Sequence, residues 1–140
     1  MLTACTQATF KESQPLPNGA WAQDRPVVFR ATIADAAPAY EVVLEMRFAA
    51  QVHDAHIDAQ LTVAGPAGQL AAQPVVFPIR DPSGKFVGEV LGDLGDVDVT
   101  ALSNFKFPAP GEYTFALAHT MPKEQVGPIM ELGIKIVKVD

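Results

Sequence analysis

His53, Asp54, His56 and Asp58 fall within one short stretch, and imidazole with carboxylate is a donor set that suits zinc. Spacing across a loop-to-strand boundary does not bring such donors together by itself. Solvated polar residues at the start of a strand are therefore the simpler account. Asp93, Asp96 and Asp98 form the densest carboxylate group, on a glycine-containing stretch whose hard oxygen ligands could hold Ca²⁺. The spacing is not that of an EF-hand loop and no Glu closes it, so the expectation is a polar loop in an acidic protein, without metal. Gly88, Gly92 and Gly95 do not spell a dinucleotide fingerprint, and Gly84-Lys85 lacks the Ser or Thr that follows the lysine of a phosphate loop. Positive φ or close backbone approach explains these glycines better.

Nucleophiles fare no better. Ser83 sits in Asp81-Pro82-Ser83-Gly84, which has the residue preferences of a type I turn and not those of a nucleophile elbow. Ser13 lies in a polar N-terminal stretch. His119 ends an alternating segment with no base–nucleophile pair beside it. No catalytic residue, no cofactor and no small-molecule substrate are expected. Trp21 follows the turn pair Asn18-Gly19 and could stack on a sugar, which keeps an envelope-tethered carbohydrate-binding module open as an alternative. Burying the large ring, so that it pins the N-terminal stretch to a core, is the more economical reading.

The chain holds one cysteine, Cys5, which excludes an internal disulfide. It ends Leu2-Thr3-Ala4-Cys5, the pattern of a bacterial lipobox, with an apolar residue three before the cysteine and small residues between. In such a motif the thiol takes diacylglycerol and the freed amine is acylated. Each buried CH₂ then contributes about 0.8 kcal/mol, so several chains together anchor stably. The expectation is that Met1 lies inside a signal peptide and that Cys5 is the lipidated residue.

The elements that must position these groups are strands. The 140 residues suit one domain, and 49% hydrophobic against 19% charged residues exclude a disordered tail. Ten glycines and 12 prolines sit at intervals, as punctuation. A net charge of −6 argues against nucleic acid as a partner. No apolar run of about 18 residues is present to span a membrane as a helix. Alternation runs through Val27–Ile33, Tyr40–Phe48 and Ile57–Val63. It continues at Val75–Ile79, Lys85–Leu91, Phe105–Phe107, Tyr113–Leu117 and Met130–Ile136.

About eight strands at this spacing predict an all-β, two-sheet antiparallel β-sandwich, Ig-like or jelly-roll. Residues 1–20 read as a lipobox remnant and flexible tether, and residues 21–140 as the sandwich domain. Pro122–Val126 reads as one helical turn ended by Gly127-Pro128. Pro74 and Pro78 place their strand at a sheet edge. Gln73, Val75, Val76 and Phe77 are then a candidate partner-docking edge, open to strand addition.

Several ordered segments resemble the gliding-motility lipoprotein family of Bacteroidetes, GldH. They are Pro78-Ile79-Arg80-Asp81, Ser83-Gly84-Lys85-Phe86-Val87-Gly88, Gly92-Asp93, Phe105-Lys106-Phe107-Pro108, Pro110-Gly111-Glu112-Tyr113-Thr114-Phe115, Met121 and Pro128 through Ile136. Trp21, the strand Tyr40 to Arg47 and the lipobox at Cys5 agree in position. The chain departs from the family pattern at Val52 to Gln60, where an aromatic-rich stretch followed by Asn is usual, and at Pro122, where Arg usually follows the Met. The resemblance implies a non-catalytic, lipid-anchored lipoprotein of the bacterial envelope, facing the periplasm. Such a protein would be an accessory or scaffold component of gliding motility and its linked protein secretion. Its partners would be the membrane, through Cys5, and other envelope motility or secretion proteins.

Overall fold

The computed structural model describes residues 8–139. Its strands are β1 (Ala8–Pro15), β2 (Trp21–Ala22), β3 (Val27–Ile33), β4 (Ala39–Ala49), β5 (His56–Gly65), β6 (Gly68–Pro78), β7 (Glu89–Leu91), β8 (Leu94–Phe105), β9 (Gly111–His119), β10 (Gln125–Val126) and β11 (Ile129–Val139). All pairings are antiparallel. One sheet has the order β1-β11-β4-β8-β7, the other β3-β9-β5-β6, and β2 and β10 form a two-stranded ribbon. The all-β sandwich expected from the alternation is present, with 11 strands in place of about eight.

Period-2 patterning decides which face each sheet buries. On β4, Tyr40, Val42, Leu44, Met46 and Phe48 point inward and are almost wholly excluded from solvent. Phe29, Ile33, Leu61, Val63, Phe115 and Leu117 meet them from the other sheet within a single apolar cluster. Each fully buried side chain of this size contributes about 1.5–3 kcal/mol.

Four local readings are corrected. The tether assigned to residues 1–20 does not extend over Ala8–Pro15, which is β1, an edge strand in register with β11 from Ala8↔Val137 to Pro15↔Glu131. Its half-buried positions are Ala8, Phe10, Glu12 and Gln14, so apolar alternation is missing. Gln14 Nε2 instead donates to the Val28 carbonyl at 2.7 Å, which links β1 to the edge of the opposite sheet. Pro122–Val126 is not a helical turn. The Gln23 N–H bonds the Glu124 carbonyl at 2.7 Å, and Gln125–Val126 pairs with Trp21–Ala22 as a ribbon. The Asp93–Asp98 stretch is not a loop beyond its first residue, because Leu94 onward is β8. Lys85–Leu91 is strand only over Glu89–Leu91, with an isolated bridge between Arg80 and Phe86 upstream.

The two ends of the sandwich differ in chemistry. One end is fixed by the pairings Val139↔Ala39, Tyr40↔Phe105, Ile33↔Gly111 and Gly65↔Gly68. It carries the connections 34–38, 66–67 and 106–110, whose residues are all Ala or Pro except Asp35, Lys106 and Phe107. Two buried tyrosines brace it: the Tyr40 hydroxyl donates to the Asp35 carbonyl, and the Tyr113 hydroxyl donates to that of Ala109. Burial first, and Asp35 second, push the Tyr40 phenol above its ordinary value. The opposite end carries the connections 23–26, 50–55, 79–88, 92–93 and 120–124. Asp24, Arg25, His53, Asp54, Arg80, Asp81, Lys85, Asp93, Lys123 and Glu124 all lie there.

Candidate functional site

The charged end is built around the connection between β6 and β7. Asp81 turns it: the Gly84 N–H bonds the Asp81 carbonyl at 2.9 Å, closing a β-turn where the sequence predicts one. The Asp81 carboxylate accepts the Ser83 hydroxyl at 2.6 Å, the Ser83 N–H at 2.9 Å and the Lys85 N–H at 3.0 Å. The Ser83 hydroxyl first, and the Lys85 N–H second, hold this carboxyl below its ordinary range.

Arg80 then ties the turn to the rest of the end. Its guanidinium donates to the Gly84 carbonyl at 3.1 Å and to those of Ala50 and Val52 at 3.2 and 3.3 Å. It also lies over the Phe86 ring, 4.1 Å from the centroid. Phe86 in turn packs on Phe48 of the core. Gly88 follows where the chain passes so close to β8 that a Cβ would stand 2.1 Å from the Asp96 carbonyl oxygen. The result is a hydrogen-bonded, charged loop bordered by exposed apolar side chains at Val87, Leu91 and Leu94. Leu91 is 88% exposed at the tip of the β7–β8 hairpin, where Gly92 adopts φ +64°. The signal for that hairpin was present in the sequence as Gly92-Asp93 between two leucines.

Trp21 and His119 lie deeper in this end. Trp21 is fully buried, edge-on to the His119 ring with centroids 5.4 Å apart, so neither face is free to carry a sugar. The Met121 N–H donates to His119 Nδ1 at 3.2 Å, and His119 Nε2 donates to the Glu124 carbonyl at 3.2 Å. Both imidazole nitrogens thus serve backbone. Trp21 Nε1 is buried without a partner. An open cleft of about 680 Å³ has Trp21 in its wall, together with Asn18, Gln23, Asp24, Arg25 and Glu124 among others.

The residues weighed as metal donors are dispersed. Asp54 accepts from Lys123 Nζ at 2.9 and 3.0 Å, while His56 pairs with Asp58 at 3.1 Å. Asp96 is engaged by Arg47 at 2.9 and 3.3 Å, and this pairing raises the Arg47 pKa. Asp98 stands opposite Glu45 in the β4–β8 register, and Asp93 lies in the hairpin turn. Among the described residues no three His, Cys, Asp or Glu side chains group as a metal site. Asp96 and Asp98 instead border a shallow groove of about 310 Å³ across the outer sheet face, with Lys11, Glu45 and Arg47. Gly133 leaves room there, since a Cβ would meet Ser13 Oγ at 2.9 Å.

The candidate docking strand lies at a sheet edge, because β6 pairs only with β5 in its sheet. Val75 and Phe77 point into the core, whereas Gln73 is exposed and Val76 is 50% exposed. Only two of the four side chains named from the sequence are therefore open to solvent. Cys5 lies outside the described residues.

No curated protein matches the chain. Among solved structures, the Agl-KA catalytic domain is similar at 12% identity and a TM-score of 0.42, over 93% of this chain and 25% of that one. The VP2 subviral particle of infectious bursal disease virus is similar at 16% identity and a TM-score of 0.44, over 99% of this chain and 35% of that one. The present chain thus spans about a quarter to a third of those proteins. At the level of families, the GldH lipoprotein profile matches residues 8–136, from the first residue of β1 into β11. With that much of the sandwich matched, the chain belongs to the GldH lipoprotein family.

Proposed function

We propose that this lipoprotein is a non-catalytic scaffold of the bacterial envelope, an accessory component of gliding motility and of the protein secretion linked to it. In this reading Cys5 carries the acyl chains and the sandwich faces the periplasm. Membership of the GldH family carries the proposal. The structure supports it through a braced loop scaffold at the charged end and an edge strand on one sheet, both of which suit positioning other proteins. The carbohydrate-binding alternative has less support, because Trp21 is buried.

Mass spectrometry tests the proposal on protein isolated from crosslinked native membranes, expressed from the gene with its full upstream region. A diacylglyceryl Cys5 peptide crosslinked to motility or secretion proteins is the expected result. An unmodified Cys5 peptide without such partners would overturn both parts.

A further inference from the structure

We propose that the Ala/Pro end of the sandwich is a lipid-facing surface, which rests against the headgroups of the membrane that holds Cys5. The inference rests on the lipidation proposed above and adds an orientation to it. Only Thr6 and Gln7 separate Cys5 from Ala8, where β1 begins. A fully extended chain covers at most about 3.6 Å per residue, so the leash from Cys5 to β1 is no longer than about 11 Å. Ala8 is paired with Val137, and β11 continues past it through Lys138 and Val139. That overhang is about 7 Å at the usual rise per residue, so the end of the sheet reaches most of the way back to the anchor. Because β1 is a full edge strand of the larger sheet, the anchor leaves from one defined end of the body.

The chemistry of that end fits the position. Ala34, Ala37, Pro66, Ala67, Pro108, Ala109 and Pro110 are exposed there. Its two loop charges are turned back onto its own backbone: Lys106 Nζ donates to the Ala37 carbonyl at 2.6 Å, and the Asp35 carboxylate accepts the Ala37 N–H at 3.0 Å. A body with net charge −6 is repelled by anionic headgroups least where its exposed charges balance, and beside these loops Glu112 and Lys138 are exposed, one of each sign. The charged loops holding Arg80, Asp81 and Lys123 lie at the other end, and this orientation directs them away from the bilayer. The eight residues of β1 alone span about 26 Å, enough to separate the two surfaces clearly.

The test uses the full lipidated chain reconstituted into vesicles of phosphatidylethanolamine with a minority of phosphatidylglycerol, bearing a headgroup nitroxide quencher. Ala67→Cys and Ala109→Cys place a thiol-reactive fluorophore at the lipid-facing end, and Gln51→Cys places it at the charged end. Acylation keeps Cys5 from labelling. Quenching at the first two positions is expected to exceed that at the third by about three-fold or more, as headgroup contact requires. Equal quenching at all three positions, on protein that floats with the vesicles, would overturn the orientation alone. Protein that does not float and has an unmodified Cys5 peptide would overturn the anchoring and the orientation together.

Discussion

Arg80 lies with its guanidinium 4.1 Å from the centre of the Phe86 ring, and from there it reaches two carbonyls of the β4–β5 connection. A planar donor fork can stack and bond several carbonyls at once, which an ammonium cannot do. Arg80→Ala leaves the carbonyls of Gly84, Ala50 and Val52 without this partner. The expected loss is about 2–3 kcal/mol in urea unfolding. Amide exchange should quicken in residues 50–55 and 79–88 and stay unchanged in the tyrosine-braced loops at the other end. Arg80→Lys should recover less than half of the loss. Full recovery by lysine would mean that charge alone suffices.

Asp81 gives the same loop a pH dependence. Its carboxyl is held below the ordinary range by the Ser83 hydroxyl first and the Lys85 N–H second. The folded state therefore takes up this proton less readily than the unfolded chain. The stabilisation is complete above the unfolded value of about 3.9 and disappears as pH falls through the lower folded value. Asp81→Ala should be less stable than the parent at neutral pH, and the two stabilities should converge below about pH 4. Unfolding curves across that range give the answer. A constant gap at every pH would mean that the carboxylate's hydrogen bonds do not set the difference.

Gly95 and Phe48 are a packing pair. A Cβ on Gly95 would come within 2.4 Å of the Phe48 ring, which is fully buried and cannot swing into solvent. Gly95→Ala should cost about 1–3 kcal/mol through overpacking. Phe48→Leu makes room at its own cost, and the double variant should lose less than the sum of the singles. A coupling of about 0.5 kcal/mol or more in a double-mutant cycle confirms the pair. Additivity would show that β8 shifts away freely.

Elements were legible in the sequence where one face is apolar and the other polar. Tyr40, Val42, Leu44, Met46 and Phe48 fix β4 to within a residue of its limits. β1 was not legible, because its inward positions include Glu12 and Gln14. At an edge, a polar side chain such as Gln14 can be satisfied across the sandwich, and the apolar period is lost. β8 was hidden for another reason. Asp96 and Asp98 drew attention as ligands, although Val97 and Val99 between and after them mark a strand. The period then breaks where the β4–β8 register shifts between Val42 and Val43. The loop around Arg80 could be found only through the family segments, since nothing in residue type or spacing predicts that an arginine will gather three backbone carbonyls from two connections.

β6 separates a docking edge from a core strand residue by residue. Phe77 is fully buried, so Phe77→Ala should cost about 3–5 kcal/mol whatever the partner does. Val76 faces solvent on the same strand, and Val76→Lys should change stability by no more than about 0.5 kcal/mol. A lysine on an edge strand opposes the approach of another strand without disturbing the fold. If a partner adds to β6, Val76→Lys combined with Gln73→Lys should remove its crosslinks while the melting temperature stays level. Crosslinks that survive both charges, yet disappear with Arg80→Ala, would move the docking surface to the charged loops. The edge would then be left as a boundary of the sheet.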